Sequence, residues 1–178
     1  MKEPRETPSA KERYMGLAWI HAGFSKDPNT QVGSVIVSND NIPLGSGYNG
    51  PPKAIKDDSF DWERPNKDST GINKYHLVRH AEINAIDHSH GDLTQATLYV
   101  TALPCPSCML EIVAKKIGHV IYFDYQSSKK SSLQNSSWRD HSFEIAKRGQ
   151  VKLEKFEGNL SWVLDWSNHL KEINVVNA

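Results

Sequence analysis

The chain is short of several features that mark whole classes of protein. It has only two cysteines in 178 residues. They lie three apart, so a bridge between Cys105 and Cys108 would close a very small loop and stabilise little. No run of about 18 apolar residues occurs, which excludes a membrane-spanning helix. Met1 to Lys11 is polar, carries Pro4 and Pro8, and lacks the apolar core of a secretory signal. Neither sign of charge dominates, because 21 Lys+Arg face 21 Asp+Glu. Without a basic block, a sequence-independent grip on nucleic acid is not expected, although a few local cations suffice for one phosphate. These absences describe a soluble, cytoplasmic protein with neither a nucleic-acid nor a membrane partner. Its length fits a single domain over 1–178, with a flexible lead at 1–10.

What is present reads as alternating elements. Tyr14, Leu17, Ala18, His21 and Ala22 recur at helical spacing up to Gly23. Gln31–Ser38, rich in β-branched residues, and Ile42–Tyr48 flank the turn chemistry of Asn39-Asp40-Asn41, which predicts a hairpin. Residues 49–79 form a long polar stretch with Pro51, Pro52, Pro65 and Gly71. An excursion of that length inside one domain points to a functional loop insertion. Helices are expected over His80–His88, Cys105–Lys116, His141–Lys147 and Leu160–Leu170. Strands are expected over Ala96–Thr101, His119–Phe123 and Val151–Phe156, with Ser127–Ser137 as loop. The alternation predicts an α/β protein: a three-layer α/β/α domain around a central mixed sheet.

The chemistry concentrates in His80-Ala81-Glu82 and Pro104-Cys105-Pro106-Ser107-Cys108. A C-x-x-C pair alone divides between metal and redox roles. An upstream His-x-Glu tips it toward metal. Cys105 and Cys108 sit about 60° apart around a helix, so both sulfurs reach one ion. Pro104 suits a helix start, where free N–H groups and the dipole favour thiolate. His80 and Glu82 are about 160° apart around a helix and share a face poorly. One ligand and one non-ligand fit that spacing, provided both sit in the first turn. His80, Cys105 and Cys108 therefore become the zinc ligands and Glu82 the catalytic acid/base. Three protein ligands leave a fourth position for an acidified water, whose proton the carboxylate accepts. A closed structural site would need another ligand, and His76, His88 and His90 are the nearby candidates.

An H-x-E followed by P-C-x-x-C is the signature of zinc-dependent nucleobase deaminases. The chain resembles the cytidine deaminase superfamily, and within it the deoxycytidylate (dCMP) deaminases, from about Tyr14 to Phe156. Lys26-Asp27-Pro28-Asn29-Thr30-Gln31-Val32-Gly33 is similar to the family's entry into the first strand. Gly47-Tyr48-Asn49-Gly50 matches its G-Y-N-G, and His80 to Ile86 its H-A-E-[LI]-N-A-I helix.

The resemblance implies hydrolytic deamination of dCMP, with one catalytic Zn2+ per chain. It implies that Asn49 bonds the sugar 3′-hydroxyl and that Lys26, with Asn29 or Thr30, lies near the 5′-phosphate. Tyr125 would stack on the pyrimidine, and Ala81 would complete the substrate contacts. Tyr122, by contrast, reads as a core-facing strand position. The resemblance further implies activation by dCTP with Mg2+ and inhibition by dTTP, through an effector site that includes Gly47, Tyr48, Asn49 and Gly50. Pro43 to Ser46 would tune effector preference. Family members commonly form hexamers. Trp62, Trp138, Trp162 and Trp166 serve core or interface, with core expected for the last two. Competing readings are a deaminase of tRNA adenosine or of a cofactor-pathway pyrimidine, an inactive zinc-stabilised binding module, and a redox dithiol protein.

Overall fold

The computed structural model describes residues 3–4, 6–56, 58–63, 71–124 and 136–165. In chain order the elements are α1 (Ala10–Ala22), β1 (Gly33–Val37), β2 (Pro43–Tyr48), α2 (Lys74–Leu77), α3 (Ala81–Asp87), β3 (Thr97–Val100), α4 (Pro106–Ala114), β4 (His119–Tyr122), α5 (Ser136–Arg148) and β5 (Lys152–Lys155). A further helical turn occupies 161–165. No helix among the described residues is long and apolar enough to cross a membrane.

The five strands form one sheet in the order β2-β1-β3-β4-β5. β1 pairs antiparallel with both β2 and β3, while β3, β4 and β5 run parallel. The sheet is therefore mixed, as the alternation of elements predicts. Each parallel step is bridged by a helix, α4 or α5, because parallel strands need a long crossover.

Period-2 alternation along the strands separates two cores. Ile36, Leu98, Val100, Val120 and Tyr122 pack with Ala85 and Ile86 of α3, Met109 and Ile112 of α4, and Ala146 of α5. Val35, Val37, Tyr99 and Ile121 face the other way and pack with Tyr14, Met15 and Ala18 of α1. Three layers result. Tyr122 is buried in the core, as its strand position suggests.

Both sheet edges are blunted. Pro43 opens the β2 edge without needing a donor, and lysines at both ends of β5 guard the other. α1 starts four residues before its apolar pattern does, because Ser9 and Glu12 form a capping box. α5 starts five residues earlier than the apolar spacing indicates, which brings Trp138 into a helix. α2 falls inside the long polar stretch, where a one-turn helix leaves no periodic signal.

Candidate active site

Neither His80 nor Cys105 lies within a helix. Each is the N-cap of one: His80 precedes α3 with φ −74° and ψ 153°, and Cys105 precedes α4 with φ −71° and ψ 163°. An N-cap has extended backbone, so its side chain leaves the helix axis and the poor angular match between His80 and Glu82 disappears. The expected helix starts at His80 and Cys105 are corrected by one residue. Pro106 occupies the first helical turn of α4, where its missing N–H costs nothing. Cys105 Sγ accepts from the Cys108 N–H at 3.4 Å, a capping bond with sulfur as acceptor.

His80 Nδ1 lies 3.4 Å from Cys105 Sγ and 3.3 Å from Cys108 Sγ. Zn–S and Zn–N bonds at tetrahedral angles require an N···S separation of about 3.5 Å, so the donor set fits zinc. Both cysteines are free thiols. Among the described residues these three are the one group able to hold a metal, so His76, His88 and His90 complete no site. His76 instead accepts the Asn73 N–H in the cap of α2.

Proton sharing makes the trio receptive to a cation. Cys105 is held down to about 4, first by the hydrogen bond from Cys108 and further by His80. The same bond and burial push Cys108 upward. Hydrogen bonding to Cys105 raises His80 to about 9 despite desolvation. A divalent ion replaces such protons as it binds. Glu82, on the first turn of α3, is 4% exposed. Burial raises its pKa above the ordinary carboxyl value, with the positive His80 opposing. A buried carboxyl of raised pKa holds a proton more readily than an exposed one, which suits a group that must accept and return protons.

Buried serines brace both ligand-bearing corners. Ser34 Oγ donates to Ala81 O at 2.8 Å, and Ser142 Oγ donates to Pro104 O at 2.9 Å. Such supports fix ligand orientation. Single serines inside β1 and α5 carry no sequence pattern that would have found them.

A cavity of about 180 Å³ opens on His80, Glu82 and Cys105, lined also by Thr30, Asn49 and Ala81. Asn49 is buried. Its Oδ1 accepts the Val32 N–H at 2.8 Å and its Nδ2 donates to Thr30 O at 2.9 Å, so it holds the 30–32 segment in place. Lys26 and Asn29 are exposed and do not line the cavity; the Asn29 amide donates to Trp62 O. Tyr125 and Trp166 lie outside the described residues. Trp162 packs against α1 at Gly16, where a Cβ would meet its ring at 2.4 Å.

Several lining residues were not among the expected site residues, Asp27, Lys74, Tyr75 and Trp138 among them. Trp138 is half-buried in the cavity wall, and Asp27 and Lys74 form a buried ion pair there, with Nζ 3.0 and 2.9 Å from the two carboxylate oxygens. The remaining motif residues divide. Gly47, Tyr48 and Gly50 line a second, larger groove of about 810 Å³ with Lys53, Arg79, His88 and His90.

A mixed sheet between helical layers, with two capping residues closing a His-Cys-Cys donor set beside a buried carboxyl, defines a cytidine deaminase-like metal-site domain. A family model for the cytidine and deoxycytidylate deaminase zinc-binding region matches residues 8–124. The chain belongs to that family. Deoxycytidylate deaminase of Pongo abelii is 40% identical over 112 residues, 62% of each chain. Deoxycytidylate deaminase of Mycobacterium phage D29 is 34% identical over 122 residues, covering 65% of this chain and 94% of the phage protein. The chain thus spans less than two thirds of the length of the Pongo abelii relative. The fold is shared with dCMP deaminase from the cyanophage S-TIM5, at a TM-score of 0.61 and 23% identity over 85% of this chain and 100% of that one.

Proposed function

We propose that this protein hydrolyses dCMP to dUMP and ammonia with one zinc ion held by His80, Cys105 and Cys108. The observation that carries the reading is Glu82, a buried carboxyl of raised pKa that shares a cavity with two of the three metal donors. Zinc, when bound, supplies the Lewis acidity that brings a water's pKa near neutrality. Glu82 accepts one proton from the water and delivers it to the ring nitrogen beside the amino-bearing carbon as the oxygen bonds to that carbon; it then takes the remaining hydroxyl proton and gives it to the departing amino group. A C–O bond replaces the C–N bond, one water is consumed, and ammonia leaves.

Thr30, Asn49 and Ala81 contact the nucleotide, with Tyr125 stacking on the base. Lys26 and Asn29 belong to the same 25–31 segment and attract the phosphate from outside the cavity. Relatives named deoxycytidylate deaminase support the substrate, as does a same-fold phage enzyme solved with dCMP and dUMP.

The second groove is the proposed effector site, activated by dCTP with Mg2+ and inhibited by dTTP. Its cationic lining suits a triphosphate, and it takes in Gly47, Tyr48 and Gly50 while Asn49 faces the substrate cavity. Neighbouring residues of one motif would so report effector binding to substrate. The assembly is a hexamer and the compartment cytoplasmic.

The test is ammonia release from dCMP by the zinc-loaded protein. Glu82→Gln should keep about one zinc per chain and lose about 10²–10⁴-fold in turnover. Undiminished turnover in that variant refutes the mechanism. Inactivity of the wild type toward dCMP refutes the substrate, and deamination of tRNA adenosine instead moves the protein to another branch of the family. Regulation is tested by dCMP saturation curves, sigmoidal alone and hyperbolic with dCTP; indifference to both triphosphates removes it.

A further inference from the structure

We infer that Lys74 is the residue that reads the 5′-phosphate of the substrate, with Asp27 as the group that positions it; this rests on the proposed deamination of a nucleoside monophosphate. Among the described residues lining the substrate cavity, Lys74 is the one lysine or arginine. It is only 2% exposed, so its ammonium lies in the cavity wall and does not swing in bulk solvent.

Burying an ammonium is costly unless it is paired, and Asp27 supplies the partner with both carboxylate oxygens. Asp27 is itself fixed, because its Oδ1 also accepts the backbone N–H groups of Asn29 and Thr30 at 2.8 and 3.2 Å. An ammonium has three N–H donors, and the two carboxylate oxygens engage two of them at most. One donor remains for an incoming anion. A buried charge-assisted bond of that kind discriminates more strongly than an exposed lysine such as Lys26, whose interaction is screened by solvent. The pair also ties the 25–31 segment to the end of the long polar excursion, which gives that excursion a task in recognition.

The experiment compares the affinity of the zinc-loaded protein for dUMP and for deoxyuridine by titration calorimetry. These ligands differ only by the phosphate, and their binding does not require turnover. Lys74→Met alone would strand a buried carboxylate, so the informative variant is Asp27→Asn with Lys74→Met, which removes both charges and keeps an acceptor for the Asn29 and Thr30 N–H groups. The dUMP-to-deoxyuridine affinity ratio should fall about 10- to 100-fold in the double variant, the worth of one charge-assisted contact. Asp27→Asn alone keeps the ammonium and removes its counter-charge, so its ratio should exceed that of the wild type. A wild-type ratio in the double variant, or an unchanged or lower ratio in the Asp27→Asn variant, overturns the assignment and leaves the pair a structural brace. Should the double variant fail to fold, Asp27→Asn decides by direction: a ratio above wild type supports the assignment, and an unchanged or lower ratio overturns it. Failure of the underlying reading looks different: the wild type itself would neither turn over dCMP nor prefer dUMP.

Discussion

Gly47 belongs to the motif assigned to effector binding, yet its surroundings predict a different loss when it is changed. A Cβ placed there would lie 2.4 Å from Ala85 N, 2.5 Å from Ala81 O and 2.9 Å from Asn84 C. All three atoms are backbone of α3, so no side-chain rotation relieves the clash. Ordinary contact begins at 3.4 Å, so helix and strand must separate by about 1 Å. Gly45, two residues earlier on the same face, is equally tight against Ala85 O at 2.7 Å, so the strand cannot tilt around that point. α3 carries His80 as its cap and Glu82 in its first turn, whereas Cys105 and Cys108 belong to α4. Gly47→Ala therefore shifts His80 and Glu82 against the two sulfurs. Overpacking of this kind costs about 1–3 kcal/mol, and a displacement of about 1 Å at the reacting groups costs about 10²-fold in rate. Zinc per chain by elemental analysis, thermal unfolding of the zinc-loaded protein and initial rates of ammonia release measure the three consequences. Gly50→Ala is the control, since its Cβ meets nothing nearer than the Tyr48 ring at 3.8 Å, and its stability should stay within about 0.5 kcal/mol of wild type. A Gly47→Ala protein with full zinc, wild-type stability and wild-type basal rate, deficient only in its response to triphosphates, would refute the packing argument.

Two further outcomes follow from hydrogen bonding and charge. Asn49→Ala removes the acceptor of the Val32 N–H and the donor to Thr30 O; urea unfolding should show a loss of about 1–3 kcal/mol, and Asn49→Asp, which keeps the acceptor, should lose less. Glu154 is bonded to Lys11 and Lys152, which hold its pKa down to about 2 from 4.5. Because the folded value is depressed, the ionised form stabilises the fold above about pH 4.5, and that contribution fades as pH falls through about 2. Both lysines are more than half exposed, so screening limits the effect to about 1 kcal/mol. Glu154→Gln should therefore lower stability in urea at pH 6 and converge with wild type near pH 2; an equal deficit at both values would refute the electrostatic cause.

The metal donors were legible because the two cysteines are the chain's only pair, three residues apart, and His80 stands in an H-x-E motif 25 residues upstream. Two thiols and one imidazole at fixed spacings need no knowledge of the fold. Strand order was legible only as far as the alternation of elements, which gives a mixed sheet without its neighbours. The buried cation of the cavity wall was not legible. Lys26 stands inside a recognisable motif and turns out exposed, whereas Lys74 stands in a featureless polar stretch and turns out buried. The difference is made by Asp27, 47 residues away, and burial of a polar residue depends on such long-range partners. Trp138 was hidden for a related reason. Polar residues around it conceal the start of α5, so its place in the cavity wall depends on a helix that periodicity begins five residues late.

The helix starts explain why so short a motif suffices. Cys105 and His80 sit on caps, so their side chains are freed from the helix axes, and at Cys105 the exposed N–H groups of the helix start also favour the thiolate. Cys105 uses that environment directly, as both metal donor and acceptor of the Cys108 N–H. Gly50 and Arg79 then exchange backbone hydrogen bonds of 3.1 and 2.9 Å immediately before His80, joining the glycine motif to the residue that leads into the first ligand. Asn84 adds a second tie from α3, donating to Tyr48 O at 2.8 Å. His80, Glu82 and the glycine motif are therefore held in one small unit built on β2 and α3. A displacement of β2 against α3 in that unit reaches His80 through two backbone bonds and one side-chain bond, with no longer path required.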